Sequence, residues 1–369
     1  MKIALYNLTT TTKSGGIETF NREIAKVLAR RGHLVHIYGG KGIIIQNVPE
    51  NVSIHTYPYI KRELIPNLGS RFKKFMERLS FGIFSARDLK KGNYDYIFVS
   101  KPFDIPIALL ASSYSTTKVI FGSGGTEFFP GYKYLVKKVD YFFACSKFNA
   151  IQIEEYCGIR PLILPNGVNT ELFKPRMPDP ELRHMLQLTE NETIVISACR
   201  LVGWKGIHYA IKSVASLIKK GYPIRHLIAG DGEYKKFLQT LAKELNIDND
   251  VMFLGNINNS ELPRYYSLAD IAIFPSIANE TFGISIAEAM SCGVPVITTT
   301  VGGIPEVVTD KTGLLVPPED EDSLAEAIEK LLSDEKLRKE MGDRGRQRIN
   351  ENFNWDVISE KFERYINTL

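Results

Sequence analysis

Only four cysteines occur in 369 residues, and Cys145, Cys157, Cys199 and Cys292 form no C-x-x-C pair. That spacing excludes a disulfide framework and a structural zinc site, and the thiols read as reduced core residues of a cytoplasmic protein. Histidine is as sparse: six are scattered without a companion cysteine or carboxylate at metal-ligand spacing, so no metal is expected. Long hydrophobic runs are missing. The longest, at 105–111, falls far short of the ~20 residues that a membrane-spanning helix needs. The opening Met1-Lys-Ile-Ala-Leu-Tyr-Asn-Leu8 stops at a Thr-rich stretch without the small-residue site of a signal peptide, so no export is expected. Internal repeats and low-complexity tracts are absent, which excludes solenoids. Net charge is close to balance at +4, but between Lys61 and Lys91 nine Lys/Arg stand against three Asp/Glu, so the positive charge is local.

What is present is ample material for a core. At 44% hydrophobic over 369 residues, two domains of about 150 residues are the expected organisation. Short β-branched and aromatic runs alternate with helix-period segments, the pattern of βα repetition around parallel sheets. Strands are read at 3–8, 34–38, 52–57, 96–100, 118–121, 141–146 and 162–164, then at 193–199, 225–229, 251–254, 271–275, 295–299 and 314–316. After the first strand, Ile17, Phe20, Ile24, Val27 and Leu28 form one apolar helical stripe. That helix starts after Gly15-Gly16, carries Glu18 early and Arg30 and Arg31 late, and stops at Gly32. The segment 173–191, with Pro175, Pro178 and Pro180, interrupts the pattern and is read as a linker. The expected fold is α/β, with two Rossmann-like β/α/β domains, 1–172 and 192–354, facing each other across a cleft.

Ligands of such sheets bind beyond the carboxyl ends of the strands, so loops that follow strands are the candidates. The most informative segment runs from Pro275 through Asn279, Glu280, Thr281, Phe282, Gly283 and Ile284 to Glu288, Gly293 and Pro295. Its helix start offers free N–H groups and a partial positive charge, which suit a diphosphate. Glu280 in the loop is placed to accept hydrogen bonds from sugar hydroxyls, and Glu288, further along the helix, to bind vicinal ribose hydroxyls. An isolated glutamate pair reads sooner as a cap and a helix-surface residue; the Gly and Pro frame favours a site. The cluster Ala198-Cys-Arg-Leu-Val-Gly-Trp-Lys-Gly206 also follows a strand. Arg200 and Lys205 would neutralise a diphosphate there, each charge-assisted hydrogen bond contributing about 1.5–3 kcal/mol, and no divalent metal is then required. Taken alone, the two cations also read as solvated surface charges.

Three weaker signals share that position. Gly15 and Gly16 let a phosphate approach main-chain N–H groups at the start of the first helix. Gly230-Asp231-Gly232 and Gly255-Asn256-Ile257 either shape a nucleotide base pocket or simply turn the chain into helices. Asp248-Asn-Asp250 precedes its strand, the wrong end of the sheet for a metal site, and Asp320-Glu-Asp322 is the acidic first turn of a helix.

Together these segments resemble the retaining GT-B glycosyltransferases of family 4, the group 1 enzymes, over nearly the whole chain. The resemblance rests on Gly15-Gly16, the Ser146 region, Pro165-Asn-Gly-Val168, Arg200 with Lys205, Gly230-Asp-Gly232, Glu280 to Glu288 and Gly302-Gly-Ile-Pro-Glu306. It implies that Arg200 and Lys205 hold the diphosphate of a UDP- or GDP-linked sugar. Glu280 and the amides around it, from Asn279 to Ile284, would then hold the sugar, and Glu288 the ribose. It also implies that 355–369 is a last helix crossing back onto the first domain. Two departures matter. Many relatives carry a histidine after the strand at 118–121, where this chain has Gly122-Ser-Gly-Gly-Thr-Glu127, and Cys199 stands where relatives often have glycine.

The expected function is transfer of a sugar to a hydroxyl acceptor with retention, and without help from histidine. Arg200, Lys205 and Glu280 act on the donor; Glu127 either orients the acceptor or caps a helix. The basic stretch contains Arg71-Phe-Lys-Lys-Phe-Met-Glu-Arg-Leu79, then Phe81 and Phe84, mixing aromatics with cations as an interfacial helix does. It points to an anionic membrane surface, at about 1 kcal/mol per basic residue, and to a lipid-linked acceptor; a surface helix with its stripe on the core is the alternative. No nucleic-acid-binding module accompanies it. A nucleotide-sugar epimerase of the same architecture would convert the donor without an acceptor, and a non-catalytic sensor would bind it without turnover.

Overall fold

Alternate residues of the first strand are buried on opposite faces of a sheet. In β1 (Lys2–Tyr6), Ile3 and Leu5 join one apolar core and Ala4 and Tyr6 another. Such a strand reads as an unbroken apolar run, and so does its neighbour Tyr96–Val99, because helices cover both faces. The computed structural model describes residues 1–13, 15–42, 49–125, 127–278 and 280–367. The chain divides into two units, Met1–Gly167 with Trp355–Leu369, and Val168–Asn354.

In the first unit β1 is followed by α1 (Gly16–Arg30), β2 (Leu34–Gly40), β3 (Val52–Tyr57), α2 (Ser70–Lys91), β4 (Tyr96–Val99), α3 (Ile105–Ser112), β5 (Lys118–Ser123), α4 (Tyr132–Val136), β6 (Tyr141–Ala144), α5 (Lys147–Cys157) and β7 (Leu162–Ile163). The strands lie in the order β3-β2-β1-β4-β5-β6-β7, and all neighbours are parallel. The second unit holds α6 (Pro180–Met185), β8 (Thr193–Ala198), α7 (Ile207–Lys219), β9 (Ile224–Ala229), α8 (Lys235–Glu244), β10 (Val251–Gly255), α9 (Leu262–Tyr266), β11 (Ile271–Phe274), α10 (Ile284–Ser291), β12 (Val296–Thr299), α11 (Ile304–Val307), β13 (Gly313–Val316), α12 (Glu321–Ser333) and α13 (Glu335–Asn352). Its order is β10-β9-β8-β11-β12-β13, again parallel. Each unit is therefore doubly wound and Rossmann-like, as the alternating pattern predicts. Every predicted strand is present, with ends displaced by no more than two residues.

The segment 173–191 belongs to the second unit rather than standing outside it. Asp179 caps α6 by accepting from the Leu182 N–H at 2.9 Å, Pro180 fills the first turn, where its missing N–H costs nothing, and Leu182, Leu186 and Leu188 are buried. The last helix, α14 (Trp355–Asn367), packs in the first unit. Trp355, Ile358 and Phe362 enter the core beside α1, and Arg31 grips Glu363 through two hydrogen bonds of 3.0 and 2.7 Å. Tyr96 and Tyr141 both donate their hydroxyls to the Ile366 carbonyl, at 3.1 and 3.2 Å, which satisfies a carbonyl of the last helical turn. No helix among the described residues is long and apolar enough to cross a membrane.

Candidate functional site

In both sheets the chain winds outward from a central pair of strands, β1 with β4 and β8 with β11. The loops leaving such a pair flank the switch point at which parallel α/β sheets take ligands. In the second unit they are 199–206 and 275–283, and they are locked together through the main chain. The Ile277 N–H donates to the Trp204 carbonyl at 2.9 Å. Gly206 has φ +68°, and a Cβ added there would meet the Pro275 carbonyl oxygen at 1.9 Å, so both conformation and approach demand glycine. This contact carries Lys205 to Glu280, and their side chains form a salt bridge. The Lys205 ammonium also lies 4.7 Å from the centre of the Trp204 ring. The Glu280 carbonyl accepts from the Gly303 N–H at 3.0 Å, so the loop after β12 fixes the glutamate from behind.

Arg200 is exposed at the head of the same loop. Beside it, burial pushes the Cys199 thiol up to about 11 against the pull of Lys205, which keeps it neutral and unreactive. The loops after β9 and β10 continue this rim. Leu201 N–H donates to the Asp231 carbonyl at 2.9 Å, Gly230 N–H donates to the Gly255 carbonyl at 2.7 Å, and a Cβ on Gly230 would meet the Cys199 carbonyl oxygen at 1.9 Å. Asn256 is exposed and Ile257 half-buried. Gly283, at φ +91°, turns the chain into α10. Thr281 is half-buried, as is Ile284, whereas Phe282 is buried with its ring 5.5 Å from that of Phe353, so its side chain serves packing. Asn279 lies outside the described residues.

Glu288 is buried in α10. Burial pushes its carboxyl up to about 8, and a hydrogen bond with the Asn259 side chain pulls the other way. The folded protein therefore holds this proton over a pH range where the unfolded chain releases it. The stability that it contributes is complete below the ordinary glutamate range and is lost as pH rises through about 8. Melting temperature should fall between pH 5 and 8.5 more steeply in the wild type than in Glu288→Gln. Parallel curves would show that Glu288 is ionised when buried.

Gly15, Gly16 and Glu127 belong to the first unit. Gly15 has extended backbone, and Glu18 in the first turn of α1 accepts from the Thr9 hydroxyl at 2.5 Å. Gly124, after β5, comes against Ile17 of α1. Glu127 is spanned by two ammonium groups, with Lys74 of α2 at 2.9 Å and Lys101, just after β4, at 3.4 Å. Burial would raise its carboxyl, but Lys101 and Lys74 hold it down at about 2. The basic stretch is only partly free. Arg78 is buried on Asp104 and donates to Asn7 Oδ1 at 3.2 Å, and Arg62 pairs with Glu77 at 2.5 Å, so neither reads as the solvated charge that composition suggests.

Among the described residues no group of three or more His, Cys, Asp or Glu side chains is arranged to hold a metal ion. Asp250 immediately precedes β10, and Asp320 caps α12 by accepting from the Ser323 N–H at 2.9 Å. Trp204 and Gly206 act here through the backbone lock and the ring beside Lys205, whereas Asn259, Lys74 and Lys101 meet the candidate glutamates without having been candidates in the sequence. Only Gly206 had a signal of its own, as a glycine directly before an apolar helical stripe.

The chain matches two family models, Glycosyltransferase Family 4 over residues 14–172 and Glycosyl transferases group 1 over residues 178–348. It is 32% identical over 277 residues to the GDP-mannose-dependent monoacylated alpha-(1-6)-phosphatidylinositol monomannoside mannosyltransferase of Corynebacterium glutamicum, covering 69% of this chain and 72% of that protein. Its fold overlays that of a sucrose-phosphate synthase from Thermosynechococcus elongatus with a TM-score of 0.85 at 23% identity, covering 100% and 98% of the two chains. HepE from Anabaena, solved with UDP and glucose, overlays with a TM-score of 0.83 at 21% identity over 100% of both chains.

Proposed function

The chain belongs to the group 1 glycosyltransferases of family 4, and from that premise we propose that its second unit holds a UDP- or GDP-linked sugar and its first unit a hydroxyl acceptor, to which the sugar is transferred with retention. The observation that carries this reading is the Lys205–Glu280 pair at the switch point of the second sheet, beside the start of α10. Arg200 and Lys205 neutralise the diphosphate, and the main-chain N–H groups at Gly283 and Ile284 add fixed positive ends. Glu280 accepts from sugar hydroxyls and Glu288 from the ribose, while Asn256 and Ile257 border the base.

The acceptor hydroxyl attacks the anomeric carbon from the face that the diphosphate leaves. The carbon–phosphate-oxygen bond breaks, the new glycosidic bond forms, and the acceptor proton passes to a diphosphate oxygen. Arg200 and Lys205 stabilise the charge that develops on the leaving group, so neither a protein nucleophile nor a metal enters the step. Glu127, held ionised, accepts from another hydroxyl of the acceptor and so orients the attacking one, whose own proton goes to the diphosphate.

A lipid-linked or cell-envelope glycan acceptor, met by a cytoplasmic protein on the inner face of a membrane, fits the surface around α2. Leu64, Leu68, Ile83 and Phe84 are exposed there among the exposed cations Lys61, Arg71, Arg87, Lys90 and Lys91. The corynebacterial relative's named substrate, a phosphatidylinositol mannoside, supports the same reading.

One experiment tests it. The purified protein is incubated with a panel of nucleotide sugars, with and without a polar and a lipid extract, and free nucleoside diphosphate is quantified, alongside sedimentation with anionic vesicles at low salt. Extract-dependent release from one donor is the expected result, with salt-reversible sedimentation. Conversion of a donor without an acceptor would make the protein an epimerase, and binding without release a sensor. Failure to sediment would remove the membrane.

A further inference from the structure

At the switch point of the first unit two ammonium groups share one carboxylate. Lys101 leaves the end of β4, Lys74 reaches over from α2, and both ammonium groups converge on the single carboxylate of Glu127, one on each oxygen. The neighbouring cations are balanced one for one, Arg78 by Asp104 and Arg62 by Glu77. The Lys74–Glu127–Lys101 group is not, and it carries a net charge of +1. Lys101 is three-quarters buried, and burial lowers its affinity for its proton even with Glu127 alongside, so one carboxylate does not fully compensate it. Glu127 is 42% exposed, which leaves the group open to a ligand. Beside it the rings of Phe103 and Phe129 stack with centroids 4.5 Å apart, and Phe75, itself exposed, packs on Phe103 at 6.0 Å. A cationic group at the carboxyl end of the sheet, next to a part-exposed aromatic platform, suits a molecule that is anionic at one end and apolar beside it.

Resting on the reading that the first unit takes the acceptor, we infer that this acceptor carries a phosphate or carboxylate, which Lys74 and Lys101 bind jointly while Glu127 stays between them to hold a hydroxyl beside the reacting one. The anion completes a group of two ammonium and two acidic partners. Its distance from the hydroxyl then restricts which acceptors are used, because both must be seated at once.

The test uses inorganic phosphate as the probe, titrated at constant ionic strength against the full-length protein and followed by thermal shift and by 31P line broadening. Phosphate also has a seat at Arg200 and Lys205, so the reading is the difference between variants. Lys74→Gln and Lys101→Gln should each weaken the first-unit component at least tenfold, and the double variant should abolish it. Glu127→Gln, which raises the local charge by one, should tighten it several-fold. Circular dichroism checks folding, and Lys101→Arg, which keeps the charge, should retain binding if the wild-type site is electrostatic. Phosphate binding that is equal in wild type, Lys74→Gln and Lys101→Gln would overturn the inference, as would weakening in Glu127→Gln. Turnover of a donor by the wild type keeps the two failures apart. With turnover but no lysine-dependent binding only this inference falls, and with no turnover the reading beneath it falls as well.

Discussion

Glu280→Ala is expected to lower acceptor-dependent nucleoside diphosphate release by about 100- to 1,000-fold, the scale set by losing one preorganised group at a reacting centre. The change removes a nearly buried carboxylate and also strips Lys205 of the partner that aims it, because the two side chains form one salt bridge between loops 75 residues apart. The pair should behave as a unit. Lys205→Met alone should cost a comparable factor, and the double variant little more than either single one, since neighbours in one network are not additive. Steady-state kinetics on the donor identified by the panel, with circular dichroism confirming the fold, decides the matter. A Glu280→Ala enzyme within fivefold of wild type would remove Glu280 from the site, and additive losses would show that the two residues work separately.

The largest stability effect is expected in the first unit. Asp104→Ala should destabilise the protein by about 3–5 kcal/mol, because it leaves the guanidinium of Arg78, 3% exposed, buried without its counter-charge. For a unit of this size that corresponds to a fall in Tm of roughly 6–20 °C. Burial pushes the Asp104 carboxyl up to about 6 against the attraction of Arg78 and Lys101, so the pair sits close to the cost of its own desolvation. It follows that Arg78→Met combined with Asp104→Leu should lie within about 1 kcal/mol of wild type, or above it. Thermal and urea unfolding of the two variants provide the check. A mild Asp104→Ala would mean that water reaches Arg78.

Much of the architecture was legible because strands buried on both faces are written as apolar runs. Ile194, Val195 and Ile196 in β8, or Ile271, Ala272 and Ile273 in β11, leave little room for another reading. Pairings across long separations were not legible. Nothing local announces that Arg78 lies on Asp104, or that Lys74 and Lys101 meet on Glu127, because in sequence a buried cation on a helix looks like a solvated one. The prolines of 173–191 misled for a related reason. Pro180 breaks a helix from within but begins one after an Asp cap, and only the burial of Leu182 and Leu186 tells the two cases apart. In the second unit the glutamate loop was visible by its glycines, whereas the backbone lock between Trp204 and Ile277 that gives Lys205 its reach was not.

The placing of α14 sets an order of events during synthesis. The second unit is one uninterrupted stretch of chain and has all its parts once residue 354 has been made. The first unit, although begun earlier, lacks Trp355, Ile358 and Phe362 until then, and its sheet face beside Phe20, Phe98 and Phe143 stays uncovered on the ribosome. The half of the protein that is translated first is thus finished last. A nascent chain of this kind therefore carries an open apolar patch, where Trp355, Ile358 and Phe362 belong, throughout translation of the second unit, and hides it only when α14 emerges.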